Sequence, residues 1–144
     1  MKKICGVFFT LIALAGCQEA PAYLFRELPP SESGVSFSNT LQESPDLNIL
    51  NYLYYYNGAG LAVADFNGDD LPDLYFTANQ APDALYLNMG NLKFREITRE
   101  AGIENADGWT TGVTHVDING DGLLDIYVCQ ASGYRALRGR NLLY

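Results

Sequence analysis

The sequence predicts an all-β fold built from two similar units, and three observations support this prediction. An acidic pattern of nine residues, D-x-N-G-D-x-L-x-D, occurs at residues 65–73 and returns 52 residues later at 117–125. Short runs rich in β-branched and aromatic residues flank both copies, which is typical of strands. Aromatic residues form 12% of the chain, and their side chains favour the pleated surface of a sheet.

The first unit is expected to contain four strands. One strand ends at Ala64, and the others lie around residues 74–78, 84–87 and 93–97. The first acidic pattern forms the turn between the first two of these strands, because Gly and Asp residues bound both runs.

The second unit repeats the first. Residues 112–116 and 126–128 are the expected strands around the second acidic pattern, and 141–144 resembles 83–86 with a few residues inserted before it. Repeats of roughly 40–50 residues with several strands each are typical of β-propeller blades. The chain is therefore predicted to be a partial β-propeller of about two blades of four antiparallel strands. Because propellers have about four to eight blades, we expect an N-terminal fragment of a longer protein.

Three shorter segments complete the predicted architecture. Residues 34–38 alternate briefly and predict a first strand, and 98–102 predict a helical turn with Thr98 as N-cap and Gly102 at its end. The tyrosine-rich run 49–56 favours packing in the core and at the edge of a sheet. The alternative is an aromatic platform that stacks sugar rings.

The acidic patterns also predict two metal sites. Oxygen-bearing side chains occupy relative positions 1, 3, 5 and 9 of each copy, with turn residues between them. Calcium prefers several oxygen ligands, mostly carboxylate, which a short loop arranges around one centre. The seven carboxylates in these two windows would repel one another without a cation. The alternative is a pair of solvated acidic turns.

An EF-hand is excluded by its twelfth loop position, which requires a bidentate glutamate. That position carries Phe76 in the first copy and Val128 in the second, and the flanking segments have strand and not helix patterns. We therefore expect calcium-filled turns that join two strands.

The N-terminal residues predict a signal peptide followed by a lipid anchor. Two lysines precede an apolar run at residues 4–15, which at about a dozen residues is too short to cross a bilayer and is typical of a signal peptide. Residues 14–17 resemble the lipobox of bacterial lipoproteins, which implies a lipid on Cys17 and membrane attachment through it. The alternative is an ordinary secretory signal. The predicted divisions are a signal peptide at 1–16, a linker at 17–33 and the repeat region at 34–144.

The net charge bears on the class of partner, and the cysteine content bears on the state of the remaining thiol. Without its leader the chain keeps seven basic and 17 acidic residues, a net charge of −10, which argues against nucleic acid. Cys129 would be the one cysteine left after cleavage and lipidation, and its place at the end of an apolar strand predicts a buried, inert thiol.

The chain resembles bacterial lipoproteins of the FG-GAP/VCBS repeat type, in particular those with a cartilage-acidic-protein-like propeller and a C-terminal ASPIC/UnbV domain. The matching segments are 56–65 with the loop that follows, 85–88, 94–98, and 108–113 with the second loop. The Phe-Gly and Gly-Ala-Pro signatures of the family are only partly present, and no ASPIC/UnbV segment occurs. The resemblance implies a calcium-loaded propeller on the bacterial cell envelope, at the outer membrane facing the periplasm or the cell surface.

The same resemblance implies two Ca²⁺ sites with five ligands each. The first would use Asp65, Asn67, Asp69, Asp73 and the main-chain carbonyl of Leu71. The second would use Asp117, Asn119, Asp121, Asp125 and the carbonyl of Leu123.

Two functions remain open at the level of sequence. The favoured one is a non-enzymatic binding or scaffold module that contacts a glycan or protein partner and has no catalytic residues. The alternative is part of a propeller-based polysaccharide-degrading enzyme, which requires an acid/base pair. His115 with a nearby aspartate, or Glu96 with Glu100, would be the candidates.

Overall fold

The computed structural model describes residues 24–105, 107–134 and 137–144. Within these ranges the chain forms one short helix and nine strands: α1 (Pro30–Ser33), β1 (Leu61–Ala64), β2 (Asp73–Phe76), β3 (Ala84–Asn88), β4 (Phe94–Glu96), β5 (Thr110–Val116), β6 (Asp125–Gln130), β7 (Ser132–Tyr134), β8 (Leu137–Arg138) and β9 (Leu142–Leu143). The predicted all-β class is confirmed. The predicted signal peptide and the predicted lipid site at Cys17 lie outside the described residues.

The first sheet contains β1, β2, β3 and β4 as successive antiparallel neighbours. Ala62 lies opposite Tyr75, and Tyr75 lies opposite Leu85, so these three side chains share one face. All three are buried and form part of the core. The four strands of the first unit are therefore confirmed, with β2 and β4 shorter than expected.

The second sheet contains the three strands that the sequence predicts up to residue 144, and an unpredicted hairpin is inserted between two of them. It has three, in the order β5, β6 and β9, while β7 and β8 form a separate two-stranded hairpin between β6 and β9 in the chain. Tyr127 lies opposite Leu143 as Tyr75 lies opposite Leu85. Tyr127 follows Tyr75 by 52 residues, but Leu143 follows Leu85 by 58, so the hairpin accommodates six extra residues. The equivalence of 83–86 with 141–144 is confirmed.

The two sheets pack against each other through β1 and β5. Ile126 and Val128 of the second sheet join the buried side chains of the first, with Val113 packed at the margin. The two strands approach closely at Gly60, where a Cβ atom would lie 2.9 Å from the backbone nitrogen of Val113. A larger residue at this position would therefore force β1 and β5 apart.

Residues 34–38 are not a strand. Gly34 ends α1 in the left-handed conformation (φ 81°), and the chain beyond it has no regular structure. Contacts of side chains, and not the backbone hydrogen bonds of a β-ladder, hold this segment on the first sheet. Just after the segment, the Asn39 side chain donates to Asn79 Oδ1 (2.8 Å) and accepts from the Asn79 N–H (3.0 Å).

The tyrosine-rich run at 49–56 forms turns and not a strand. Local bonds to Asn48 outcompete a sheet here: its side-chain oxygen accepts the N–H of Leu50 (2.9 Å), and its carbonyl accepts the N–H of Tyr52 (2.9 Å). One ring of the run, Tyr55, is fully buried and lies 5.2 Å from the ring of Trp109. The prediction of core packing is therefore confirmed for Tyr55, although the run does not form a strand.

Residues 98–102 form the predicted single turn, closed by the Ala101 N–H, which donates to the carbonyl of Ile97 (2.9 Å). The hydroxyl of Thr98 accepts the backbone N–H of Leu85 on β3 (2.8 Å), so it does not cap a helix. Gly102 does end the turn in the left-handed region, with φ 71°.

The predicted linker contains the short helix α1 and two exposed apolar residues, Leu24 and Phe25, which do not dock on the sheets. None of the helices in the described ranges has the length and apolar character needed to cross a membrane.

Candidate metal centre

Each acidic pattern forms a loop between two antiparallel strands, as predicted. The first loop leaves β1 at Ala64 and enters β2 at Asp73, and these two residues lie opposite each other in the ladder. The second joins Val116 of β5 to Asp125 of β6, which are paired in the same way. The ladder therefore brings the first and last acidic residues of each pattern to the same end of a sheet.

Asp65 organises the first loop by accepting backbone N–H groups. Its Oδ1 accepts from Gly68 (2.8 Å) and Asp69 (3.1 Å), and its Oδ2 accepts from Asp70 (2.8 Å). These donors, with Asp70 the strongest, hold the pKa of the Asp65 carboxyl below its ordinary value. The loop is thereby preorganised around an ionised carboxylate.

Asn67 and Asp69 interlock in the middle of the loop. The amide of Asn67 accepts the Asp69 N–H (3.0 Å) and donates to Asp69 Oδ2 (3.0 Å). Asp69 Oδ1 accepts the N–H of Leu71 (2.9 Å). Gly68 and Asp70 both adopt positive φ, at 76° and 65°, which lets the chain turn tightly around Asp65.

Asp73 closes the loop from inside the sheet. It is fully buried; its Oδ2 accepts the N–H of Phe66 (3.0 Å), and its Oδ1 accepts the N–H of Asn88 on β3 (2.8 Å). Two hydrogen bonds to backbone donors compensate the burial of this carboxylate.

The second loop repeats the first almost bond for bond. Asp117 accepts from Gly120 (2.7 Å), Asp121 (3.1 Å) and Gly122 (2.9 Å), and its pKa is also lowered, mainly by the Gly122 N–H. Gly120 and Gly122 have positive φ, matching Gly68 and Asp70.

The remaining bonds of the second loop follow the same scheme. The Asn119 side chain accepts the Asp121 N–H (2.8 Å) and donates to Asp121 Oδ2 (2.9 Å), and Asp121 Oδ1 accepts from Leu123 (2.8 Å). Asp125 Oδ2 accepts the N–H of Ile118 (2.9 Å). Asp125 differs from Asp73 in being half-buried, because β9 pairs with Tyr127 and Val128 and does not reach it.

The donor chemistry of both loops suits calcium. A carboxylate offers about four lone-pair positions, so Asp69 and Asp73, which each accept two hydrogen bonds, keep roughly two apiece. Asn67 and Asp69 are exposed, so an ion could reach their oxygens from solvent. No group of three or more His, Cys, Asp or Glu side chains in the described ranges is gathered as a formed metal centre. The loops therefore present oxygen ligands of the right kind, without a closed coordination shell.

A buried polar network connects the two units, and it was not identified as a site from the sequence. Asp83 accepts hydrogen bonds from the Ala78 N–H (2.8 Å), the Tyr75 hydroxyl (3.2 Å) and the Asn105 amide (3.0 Å). Asn105 in turn accepts from the side chain of Gln130 on β6 (3.0 Å). Burial raises the pKa values of both Asp83 and Tyr75. The network therefore favours a protonated Tyr75 that donates to Asp83.

The second unit has an equivalent of Asp83 in Asn141. Its Oδ1 accepts the Gln130 N–H (3.1 Å), and its amide donates to the Tyr127 hydroxyl (2.8 Å). In the sequence, the similarity of residues 83–86 to residues 141–144 was the one indication that Asp83 and Asn141 occupy equivalent positions.

A groove of about 480 Å³ lies between the tyrosine-rich turns and the β7–β8 hairpin, lined by Asn51, Tyr52, Leu53, Tyr54, Ala131, Ser132 and Tyr134. The ring of Tyr52 lies 5.1 Å from that of Tyr134 and 5.6 Å from that of Trp109. The hairpin that supplies Tyr134 is the insertion absent from the first unit.

The other residues singled out in the sequence have structural partners. Glu96 accepts the N–H of Thr98 (2.9 Å), and Glu100 pairs with Arg95 (2.8 Å). The ring of His115 meets the ring of Phe66 edge-on at 6.1 Å. Cys129 is a free thiol, as expected. It is only half-buried, whereas the sequence predicted a buried thiol, because it lies at the bulged end of the β5–β6 ladder.

Comparison with known families finds a similarity in the part of the chain that contains both acidic loops. Residues 65–128 match the family model described as an FG-GAP-like repeat. The match runs from the first aspartate of the first loop to β6 of the second unit. No curated protein matches the chain, and no solved structure matches it.

Proposed function

From the FG-GAP-like repeat at residues 65–128, we propose that the chain is a calcium-stabilised, envelope-anchored β-propeller module that binds a glycan or protein partner. The observation that carries the proposal is the shared hydrogen-bond scheme of the two acidic loops. Two loops that keep the same nine-residue pattern and the same turn geometry are expected to serve the same ligand.

Calcium acts structurally in this proposal. The ligands are Asp65, Asn67, Asp69, Asp73 and the Leu71 carbonyl in the first loop, with their equivalents at 117–125 in the second. Ion binding holds the exposed middle of each loop against the last aspartate of the pattern, which is buried in the first loop and half-buried in the second. Because the ion binds the folded loop and not the unfolded chain, it stabilises the fold by RT ln(1 + [Ca²⁺]/Kd), about 2.7 kcal/mol at a hundred times Kd.

A titration of thermal stability with calcium tests this proposal. The melting temperature should rise with calcium and fall when a chelator is added, and the double variant Asp69→Ala/Asp121→Ala should abolish the response. Calcium-independent melting of the unmodified chain would refute the ligand assignment.

Asp70→Gly is the matched control. The equivalent residue in the second loop is Gly122, and Asp70 has the positive φ that suits glycine. This variant removes a carboxylate from the loop without touching a proposed ligand. If it weakens the calcium response as much as Asp69→Ala does, calcium acts through general charge screening and not through a site.

The proposed partner surface is separate from the metal sites. A lipid on Cys17 anchors the chain at the bacterial outer membrane, with residues 17–33 as the spacer and 34–144 as the repeat region. The aromatic groove between the tyrosine-rich turns and the inserted hairpin is the proposed place for a sugar ring, because exposed aromatic faces lie beside it.

We assign no catalytic residues in this proposal. Glu96, Glu100 and His115 are each engaged in a contact that supports a turn, an ion pair or the packing of the sheets. Incubation with a panel of polysaccharides, followed by detection of new reducing or unsaturated ends, tests this point. Turnover that survives Asp69→Ala but is lost with His115→Ala would overturn the assignment.

A further inference from the structure

Asparagine followed by glycine occurs three times in the chain, at residues 57–58, 67–68 and 119–120. The second and third pairs lie in the two acidic loops, whereas the first follows the tyrosine-rich run. All three asparagines are exposed, and the glycines adopt positive φ, at 82°, 76° and 77°. A Cβ atom built on any of these glycines would meet nothing within 4 Å. The three pairs therefore share their sequence, their exposure and their backbone conformation at glycine.

Asparagine before glycine is especially open to deamidation, because glycine has no side chain to shield its backbone nitrogen. That nitrogen, after losing its proton to a solvent base, attacks the Cγ atom of the asparagine. The new nitrogen–carbon bond closes a cyclic imide, the side-chain carbon–nitrogen bond breaks, and the amide nitrogen leaves as ammonia. Water then opens the imide at either carbonyl, which gives aspartate or isoaspartate and requires no oxidant or reductant.

Hydrogen bonds engage both reacting groups of the pairs in the acidic loops. The Gly68 N–H donates to Asp65 Oδ1 (2.8 Å). The Asn67 side chain accepts the Asp69 N–H (3.0 Å) and donates to Asp69 Oδ2 (3.0 Å). The second loop holds its pair through the three equivalent bonds, of 2.7, 2.8 and 2.9 Å. The nitrogen must give up its proton to attack, and the amide must leave its partners to be attacked, so these bonds protect both asparagines.

The first pair lacks this protection. Among the described residues, the Asn57 side chain has no hydrogen-bond partner, and the Gly58 N–H has no acceptor. The bonds of this pair involve other groups: the Asn57 N–H donates to the Tyr54 carbonyl (3.2 Å), and the Gly58 carbonyl accepts from the Asn79 side chain (3.1 Å). Both bonds leave the amide able to turn towards the glycine nitrogen.

We propose that Asn57 is the site of spontaneous deamidation in the folded chain, and that the acidic loops protect Asn67 and Asn119. The product places a carboxylate within residues 47–64, a stretch that contains no charged residue. The isoaspartate form also adds one carbon atom to the backbone next to the tyrosine-rich turns. Because the Asn57 N–H is bonded to Tyr54, which lines the aromatic groove, the modification changes charge and backbone beside that groove.

Incubation of the full chain at mildly alkaline pH and constant calcium tests the proposal. Peptide mapping by mass spectrometry gives the converted fraction at each asparagine over time, and near-ultraviolet circular dichroism verifies the folded state. Asn57 should convert at least about tenfold faster than Asn67 and Asn119, because each loop pair must first break three hydrogen bonds. In urea the three rates should be similar, because glycine follows each asparagine and no fold distinguishes them.

Three variants sharpen the measurement. Asn57→Gln should remove the fast conversion, because attack on the longer side chain must close a larger ring. Asp65→Ala removes the acceptor of the glycine N–H in the first loop and should speed the conversion of Asn67, while Asn119 in the unaltered loop is the control within the same chain. Asp117→Ala is the mirror variant and should speed the conversion of Asn119 alone.

Two results would overturn the proposal. One is a folded chain in which Asn57 converts no faster than Asn67 and Asn119. The other is that Asp65→Ala and Asp117→Ala leave the rates of both loop asparagines unchanged or raise them equally, because the loop bonds would then not be the source of protection. The expected ratio follows from hydrogen bonds within the loops, so calcium-independent melting would refute the metal sites and not this inference.

Discussion

Adding a single carbon atom at Gly60 should push the two sheets apart. A Cβ at this position would lie 2.9 Å from the backbone nitrogen of Val113, 3.0 Å from Gly112 Cα and 3.1 Å from Val113 Cγ1. Two of these three atoms are backbone and cannot rotate away, so β1 and β5 must move apart. Overpacking of this kind costs about 1–3 kcal/mol.

Gly112→Ala is the matched control for Gly60→Ala. The two glycines occupy equivalent positions, and a Cβ at Gly112 meets nothing within 4 Å. Both substitutions restrict the unfolded chain and gain about 0.4–1 kcal/mol from that effect. The contrast between the two variants therefore isolates the packing cost.

Urea and thermal unfolding of dilute protein, followed by circular dichroism, measure this contrast. Gly60→Ala should lower the free energy of unfolding by about 1–2 kcal/mol after the entropic gain, while Gly112→Ala should leave it equal or slightly higher. For a chain of this size, roughly 4 °C in melting temperature corresponds to each kcal/mol. Equal shifts for the two variants would refute the close approach of β1 and β5.

The remaining predictions concern the buried network and the aromatic cluster. Asp83→Ala should lower the free energy of unfolding by about 2–4 kcal/mol, because the Ala78 N–H and the Tyr75 hydroxyl lose their acceptor; Asn141→Ala, whose partners are half-exposed, should cost clearly less in the same urea assay. Since burial raises the pKa of Asp83 above its ordinary value of 3.8, protonation adds a stabilisation that is complete below that pH and is lost as the pH rises through the raised pKa, while the hydrogen bonds that Asp83 accepts persist. The stability difference between the unmodified chain and Asp83→Asn should therefore shrink as the pH increases, and a difference that grows would contradict the burial argument. Trp109→Ala should cost about 3–5 kcal/mol, because Trp109 is buried between Tyr52 and Tyr55, whereas Tyr54→Ala at an exposed ring should change melting little.

The local sequence predicted the acidic loops and the strands that flank them. Residues 61–64 and 73–76 are short β-rich runs on either side of an acidic turn, so alternation and turn chemistry predict both their type and their order. The loop interactions are equally local, since Asp65 bonds to N–H groups three to five residues away. Interactions of such short span depend on residue type and spacing, which are visible in the sequence.

The tyrosine-rich run shows where this reasoning failed. Residues 49–56 have the composition of a strand, but Asn48 accepts three of their backbone N–H groups and bends the chain into turns. Intrinsic preference for a strand is weak unless a neighbouring strand is available to pair. The segment instead packs its aromatic rings against Trp109, more than fifty residues away.

By itself, the sequence determined the all-β class, the repeat of 52 residues and the turn chemistry of both acidic loops, because each depends on residues close together in the chain. Only the tertiary structure decided that Asp83 joins Asn105, that Gly60 meets Val113, and that six extra residues in the second unit form a hairpin beside Tyr52. These contacts join distant parts of the chain, and their geometry follows from how the sheets pack, which no local pattern specifies.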